Sequence, residues 1–90
     1  MRKKVHLVVS GIVQGVFFRA SASKVAMSLK LTGFIRNLPN GAVEVFAEGE
    51  EEMLKRIIEW CRQGPPGAHV ENVSIEWLEA NNQFNSFQIR

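Results

Sequence analysis

The sequence predicts an α+β fold of the split β-α-β type, with two helices on one face of an antiparallel sheet. Three observations carry that expectation. Short runs alternate apolar and polar residues with the period of a strand. Two other stretches place apolar residues at helical spacing. The runs follow in the order β-α-β-β-α-β, with one short strand after them. With no linker, repeat or low-complexity tract between them, residues 1–90 read as a single domain.

The first run is Val5, Leu7 and Val9, alternating with His6, Val8 and Ser10, a strand with one strongly buried face. Ala20 to Leu31 changes period: Ala22, Val25, Ala26 and Leu29 form a helical stripe, and Ser21, Ser23, Lys24, Ser28 and Lys30 take the other faces. Thr32-Gly33 is expected to end this helix, with Gly33 as a left-handed cap. Phe34 to Leu38 and Ala42 to Glu48 read as an antiparallel pair around the Pro39-Asn40-Gly41 turn. In the second of these strands Val43, Val45 and Ala47 share one face, and Glu44, Phe46 and Glu48 the other.

Gly49 to Gln63 reads as the second helix. Glu50, Glu51 and Glu52 crowd its start, Arg62 its end, and Met53, Leu54, Ile57, Ile58 and Cys61 form its core stripe. Gly64-Pro65-Pro66-Gly67 stops it. Val70 to Leu78 is a fourth strand, with Val73, Ile75 and Trp77 alternating. Ala80 to Asn85 is polar loop, and Phe87 to Arg90 a short closing strand. This is the ferredoxin-like arrangement.

Composition narrows the function. An apolar content of 46% is that of a globular chain and excludes disorder. The net charge is +2, and three of the eleven cations sit together at Arg2-Lys3-Lys4, so no basic stripe tracks a nucleic-acid backbone. A small anionic partner suits that balance; nucleic acid does not. Cys61, the one cysteine, has no internal disulfide partner, which points to a reducing compartment, and its place on an apolar stripe makes it a buried thiol. No leader-like opening and no apolar run near 18 residues is present. A cytoplasmic protein without membrane contact is expected, and a monomer by default. His6 and His69 have no Cys or Asp at ligand spacing, so no metal or other cofactor is expected.

The stretch Ser10-Gly11-Ile12-Val13-Gln14-Gly15-Val16-Phe17-Phe18-Arg19 joins the first strand to the first helix. Its two glycines allow a tight bend with main-chain N–H groups open to a ligand. The helix start adds unpaired N–H groups, and Arg19 a guanidinium fork suited to two phosphate oxygens. The stretch is either an ordinary loop or a cradle for a small anion. It is not a Walker loop or a dinucleotide fingerprint, since neither glycine pattern is present.

The loop holds no Asp, Glu, His, Lys or Cys, hence no nucleophile or general acid beside a bound phosphate. An alkyl phosphate expels a poor leaving group and ordinarily needs an acid or a metal. A carboxyl phosphate expels a carboxylate, whose acid has a pKa near ~4, and needs neither. The remaining requirements are a cradle for the phosphoryl oxygens and a group that aims water. Asn37 is the candidate for that task, since its amide donates and accepts. It is equally readable as a strand-end residue before the Pro39 turn.

Gly11-Ile12-Val13-Gln14-Gly15-Val16-Phe17-Phe18-Arg19 resembles the acylphosphatase signature Gly-x-Val-Gln-Gly-Val-x-Phe-Arg. Gly33-Phe34-Ile35-Arg36-Asn37-Leu38-Pro39-Asn40-Gly41-Ala42-Val43-Glu44-Val45 resembles that family's second motif, and Phe87-Gln88-Ile89-Arg90 its usual ending. The resemblance implies cofactor-free hydrolysis of acyl phosphates to a carboxylate and inorganic phosphate. It implies that Arg19 binds the phosphate, that Asn37 orients the attacking water, and that amides from Gly15 through Val16, Phe17 and Phe18 to Arg19 form the cradle. The family often has Trp or Tyr in place of Phe34, and often a Tyr after the position of Arg90, departures that bear on packing. The alternative on the same fold is a non-catalytic module that binds or senses small anions.

Overall fold

The computed structural model describes residues 1–90. Its elements are β1 (Arg2–Ile12), α1 (Phe18–Ser28), β2 (Thr32–Asn37), β3 (Val43–Glu50), α2 (Glu51–Gln63), β4 (His69–Glu79) and β5 (Phe87–Ile89). They form one sheet in the order β4-β1-β3-β2-β5. β1 pairs antiparallel with β3 and β4, and β2 antiparallel with β3, so the expected hairpin and the ferredoxin-like order are both present. The fifth strand departs from the antiparallel expectation. The loop after β4 reverses the chain, and β5 enters alongside β2 in the parallel sense, with Gly33 opposite Phe87 and Ile35 opposite Ile89.

The core lies between the sheet and the helices. Val5, Leu7 and Val9 of β1 and Val43, Val45 and Ala47 of β3 are buried, and meet Phe18, Ala22 and Ala26 of α1 and Leu54, Ile57, Ile58 and Cys61 of α2. Each large side chain in this set contributes about 1.5–3 kcal/mol through burial. Met53, read as core, is half-buried at its edge. Burial pushes the Cys61 thiol up to about 12, which leaves it un-ionised and inert at neutral pH. No helix is long and apolar enough to cross a membrane.

Gly33 does not cap α1. The helix ends at Ser28, and Lys30, at φ 59, takes the left-handed position while Leu31 N–H returns to the Ala26 carbonyl at 2.9 Å. Gly33 instead sits inside β2, opposite Ala47, where an added β-carbon would stand 1.9 Å from the Phe46 carbonyl oxygen. The position needs glycine because one strand's backbone presses on the next.

The face away from the helices is less open than its alternating Glu44, Phe46 and Glu48 suggest. Residues 80–86 fold over Glu48, which is fully buried and accepts the N–H groups of Asn81 and Asn82, the latter at 2.9 Å. Glu44 lies between Arg36, whose Nε donates to Oε1 at 2.5 Å, and His6, whose Nε2 is 2.8 Å from Oε2. His6 stacks on Phe46 at 4.3 Å. Burial pushes the Glu44 carboxyl up, but the hydrogen bonds and charges of Arg36 and His6 outweigh it and hold the group below the ordinary carboxylate range.

Gly33→Ala is expected to cost at least about 2 kcal/mol, seen as a lower urea midpoint. Wild-type stability in that variant would mean that β3 can retreat from β2. Since the Glu44 carboxyl is depressed on folding, its contribution is complete above the unfolded value near ~4.3 and disappears as pH falls through the folded value. Below about pH 5 the wild-type Tm should therefore fall more steeply than that of Glu44→Gln. Equal slopes would remove Glu44 from the acid response.

Candidate active site

β1 ends at Ile12, and the chain bends through residues 13–17 before α1 begins. Val13 turns into the core, 1% exposed. Gly15 has φ 76 with nothing within 4 Å of an added β-carbon, so backbone angle rather than space selects glycine there. Phe17 also lies in the left-handed region, at φ 62, which costs a residue with a β-carbon about 1–2 kcal/mol. Phe18 opens α1, buried against the edge of Trp60 with ring centres 5.3 Å apart. Since Phe18 is the anchor, its neighbour Arg19 is turned toward the surface. Arg19 Nη1 donates to the main-chain oxygen of Arg90 at 2.9 Å.

The start of α1 has no side-chain cap, because Phe17 occupies the N-cap position and carries no oxygen. The first helical bond is from Ser21 N–H to the Phe17 carbonyl, 3.0 Å. The N–H groups of Phe18, Arg19 and Ala20 precede it and have no acceptor within the helix. A Ser or Asp at the N-cap would have used one of them.

Asn37 reaches the same end of the sheet through β3. Val43 is the register partner of Val9 on one side and of Asn37 on the other. Asn37 therefore stands two strand spacings, about 10 Å, from Val9, three residues before β1 ends. Gln14 closes that gap: its Nε2 donates to the carbonyls of Leu38 and Ala42, each at 2.8 Å, and ties the bend to the β2–β3 turn. The turn is closed by Leu38 N–H to the Ala42 carbonyl at 2.8 Å, and Asn40 Oδ1 accepts the Ala42 N–H at 3.0 Å.

Val13, Gly15, Phe17, Phe18, Arg19, Ala20, Asn37 and Ile89 line a cleft of about 320 Å³. Arg19 and Asn37 are thus brought together, and Gly15, Phe17 and Phe18 stand beside them. The Val16 side chain is half-buried against the core and is not among the cleft-lining residues, so its expected part in the cradle falls to its main-chain N–H alone. Gly11, expected to help form the bend, lies within β1 opposite Val70, where the β1–β4 register shifts. Gln14, Ile89 and Arg90 had no part in the expected site. Gln14 was legible only as a letter of the motif, and Ile89 and Arg90 enter through the parallel pairing of β5.

A sheet end with free helical amides, one guanidinium and one carboxamide around a small cleft defines the class: a compact α+β protein with a small polar site at the end of its sheet. The acylphosphatase family model matches residues 5–89. An acylphosphatase of Pelotomaculum thermopropionicum is 47% identical, with 98% of this chain and 96% of that protein covered. One of Marinobacter nauticus is 51% identical, with 92% and 90% covered. The structure of an acylphosphatase from Coxiella burnetii superposes with a TM-score of 0.93 at 43% identity, covering 99% of this chain and 93% of that one. The chain belongs to the acylphosphatase family. It is an enzyme of acyl phosphate hydrolysis, and none of these relatives supports the non-catalytic alternative.

Gln14→Leu keeps much of the volume and removes the bridge, leaving two carbonyls to find other partners. A stability loss of about 1–3 kcal/mol is expected by urea titration. A kcat loss of about tenfold or more should accompany it, since catalytic groups tolerate little misplacement. Full activity in a destabilised variant would show that the bridge serves only the fold.

Proposed function

We propose that this chain hydrolyses the carboxyl-phosphate bond by direct attack of water on phosphorus, with no phosphoenzyme and no metal. The observation that carries the reading is that Arg19, Asn37 and Gly15 line one cleft at the uncapped start of α1. Arg19 and the amides from Gly15 to Arg19 bind the phosphoryl oxygens, a cradle that also accepts inorganic phosphate and other small anions. Asn37 holds a water in line with the scissile bond. As the water oxygen bonds to phosphorus, the bond from phosphorus to the carboxylate oxygen breaks, and its electron pair leaves with the carboxylate. The water proton passes to a phosphoryl oxygen. The leaving group needs no proton, so a site without a general acid suffices.

The bond from Arg19 to the Arg90 oxygen supports this role, because a guanidinium held on one side presents its remaining N–H groups in a fixed direction. We read residues 1–90 as one monomeric domain, which a single sheet and one buried cluster support. A cytoplasmic location is favoured by the lone, buried Cys61.

Benzoyl phosphate hydrolysis in the presence of a chelator tests the mechanism. Wild type is expected to turn over unchanged by chelator. Asn37→Ala should lose about a hundredfold or more in kcat, the scale of one preorganised donor, while phosphate still inhibits it. Arg19→Ala and Arg19→Lys should lose both turnover and phosphate inhibition, since a point charge does not replace a fork. Chelator-sensitive turnover, or an active Arg19→Ala protein, would sink the mechanism.

A further inference from the structure

Glu48 lies on the sheet face away from the helices, is 0% exposed, and lines no part of the cleft. Its neighbour on β1, Lys4, does not pair with it; Lys4 Nζ donates to Asn81 Oδ1 at 3.3 Å instead. Glu48 Oε1 has no protein partner, and neither has Thr32 Oγ1, its cross-strand neighbour on β2. A carboxylate buried without a cation costs stability that an apolar side chain of similar length would not. Packing therefore does not explain Glu48. What it holds is the strap of residues 80–86: Oε2 accepts the N–H groups of Asn81 and Asn82, at 2.5 and 2.9 Å. Asn82 takes a left-handed φ of 53, and two successive amides converge on one oxygen, as in main-chain anion sites.

We propose that Glu48 is a positioning residue for the active site: by latching the strap it fixes β5, and through β5 the guanidinium of Arg19. The inference rests on Arg19 as the phosphate ligand of the reading above. β5 needs such support, because it pairs only three residues with a single neighbour at the sheet edge. Its other ties are few. The Ser86 oxygen accepts the Gly33 N–H at 2.9 Å, Arg90 N–H donates to the Ile35 carbonyl at 2.8 Å, and Phe84 meets Phe34 edge-on. With Asn81 and Asn82 held by Glu48, the free connection into β5 shrinks from residues 80–86 to residues 83–86, which lowers the entropy lost when β5 docks. At the far end of β5 the Arg90 oxygen accepts from Arg19 Nη1 at 2.9 Å. Once the latch is lost, β5 and that oxygen move, and the fork of Arg19 loses its fixed direction.

The test measures the Kd of inorganic phosphate by calorimetry, together with Tm and amide hydrogen exchange over residues 80–90. Glu48→Met keeps the length and removes the acceptor. It is expected to hold or raise Tm, to speed exchange across the strap and β5, and to weaken phosphate binding about tenfold. Glu48→Gln still offers the strap an oxygen and should stay within about twofold of wild type. A purely structural role would move Tm and affinity together and would not be rescued by Gln. Asn81→Pro withdraws one strap N–H, leaves the sheet core intact, and should weaken phosphate binding in the same direction. Wild-type affinity in Glu48→Met or in Asn81→Pro, unchanged exchange over β5, or an equal loss in Glu48→Gln would overturn the latch; Asn81→Pro decides it even where Glu48→Met fails to fold. Wild type that binds no phosphate would overturn the reading of Arg19, and the latch with it.

Discussion

Val43 pairs with Val9 on one side and with Asn37 on the other, and the position of the site follows from that shared register. Because β3 runs antiparallel to both β1 and β2, these two strands run in the same direction and finish at the same end of the sheet. The bend that follows β1 and the carboxamide that ends β2 are thus neighbours in space, 18 positions apart in sequence though Arg19 and Asn37 are. β3 contributes no side chain to the cleft, yet it sets the distance that Gln14 then spans. Gly33 belongs to the same constraint, since it lets β2 lie against β3 closely enough for the register to hold.

Around this frame, burial directs the polar groups by alternation. Val13 and Phe18 enter the core at either side of the bend, Gln14 and Val16 between them are half-buried, and Gly15 and Phe17 are left at the surface. Phe18 is the pivot: its ring packs on Trp60, so the first turn of α1 has one rotation about its axis, and Arg19 emerges on the side of β5. The left-handed Phe17 is the cost of making so abrupt a junction, about 1–2 kcal/mol, which a core of 17 residues readily offsets.

Much of this was legible because periodicity reports which face is buried. Val5, Leu7 and Val9, and the stripe Leu54, Ile57, Ile58 and Cys61, alternate as their burial does. What stayed hidden depends on contacts between distant backbones. Gly33 reads as a helix cap because a left-handed turn and a close strand contact favour the same residue; only the carbonyl of Phe46 distinguishes them. Glu48 reads as an outward carboxylate because alternation says which side it takes and nothing about the loop that covers it. The aromatic residues of that face, His6, Phe34 and Phe46, pack on one another beside Glu44 and do not form a free stacking surface. For the site itself, the loop chemistry singled out Arg19 and left Asn37 open between two roles; strand pairing, which local sequence does not report, is what brings Asn37 to the cleft lining.

The economy of the site follows from the leaving group. A reaction that expels a carboxylate asks for charge stabilisation and alignment, and the inventory here offers those two things. Alignment in turn is a property of the fold: the bend, the end of β2 and β5 each supply one part, and none is positioned by local sequence alone. A site assembled in this way cannot be loosened at one element without loss at the others. The bridge from Gln14 to the Leu38 and Ala42 carbonyls and the bond from Arg19 to the Arg90 oxygen are what join those parts, although neither Gln14 nor Arg90 lines the cleft.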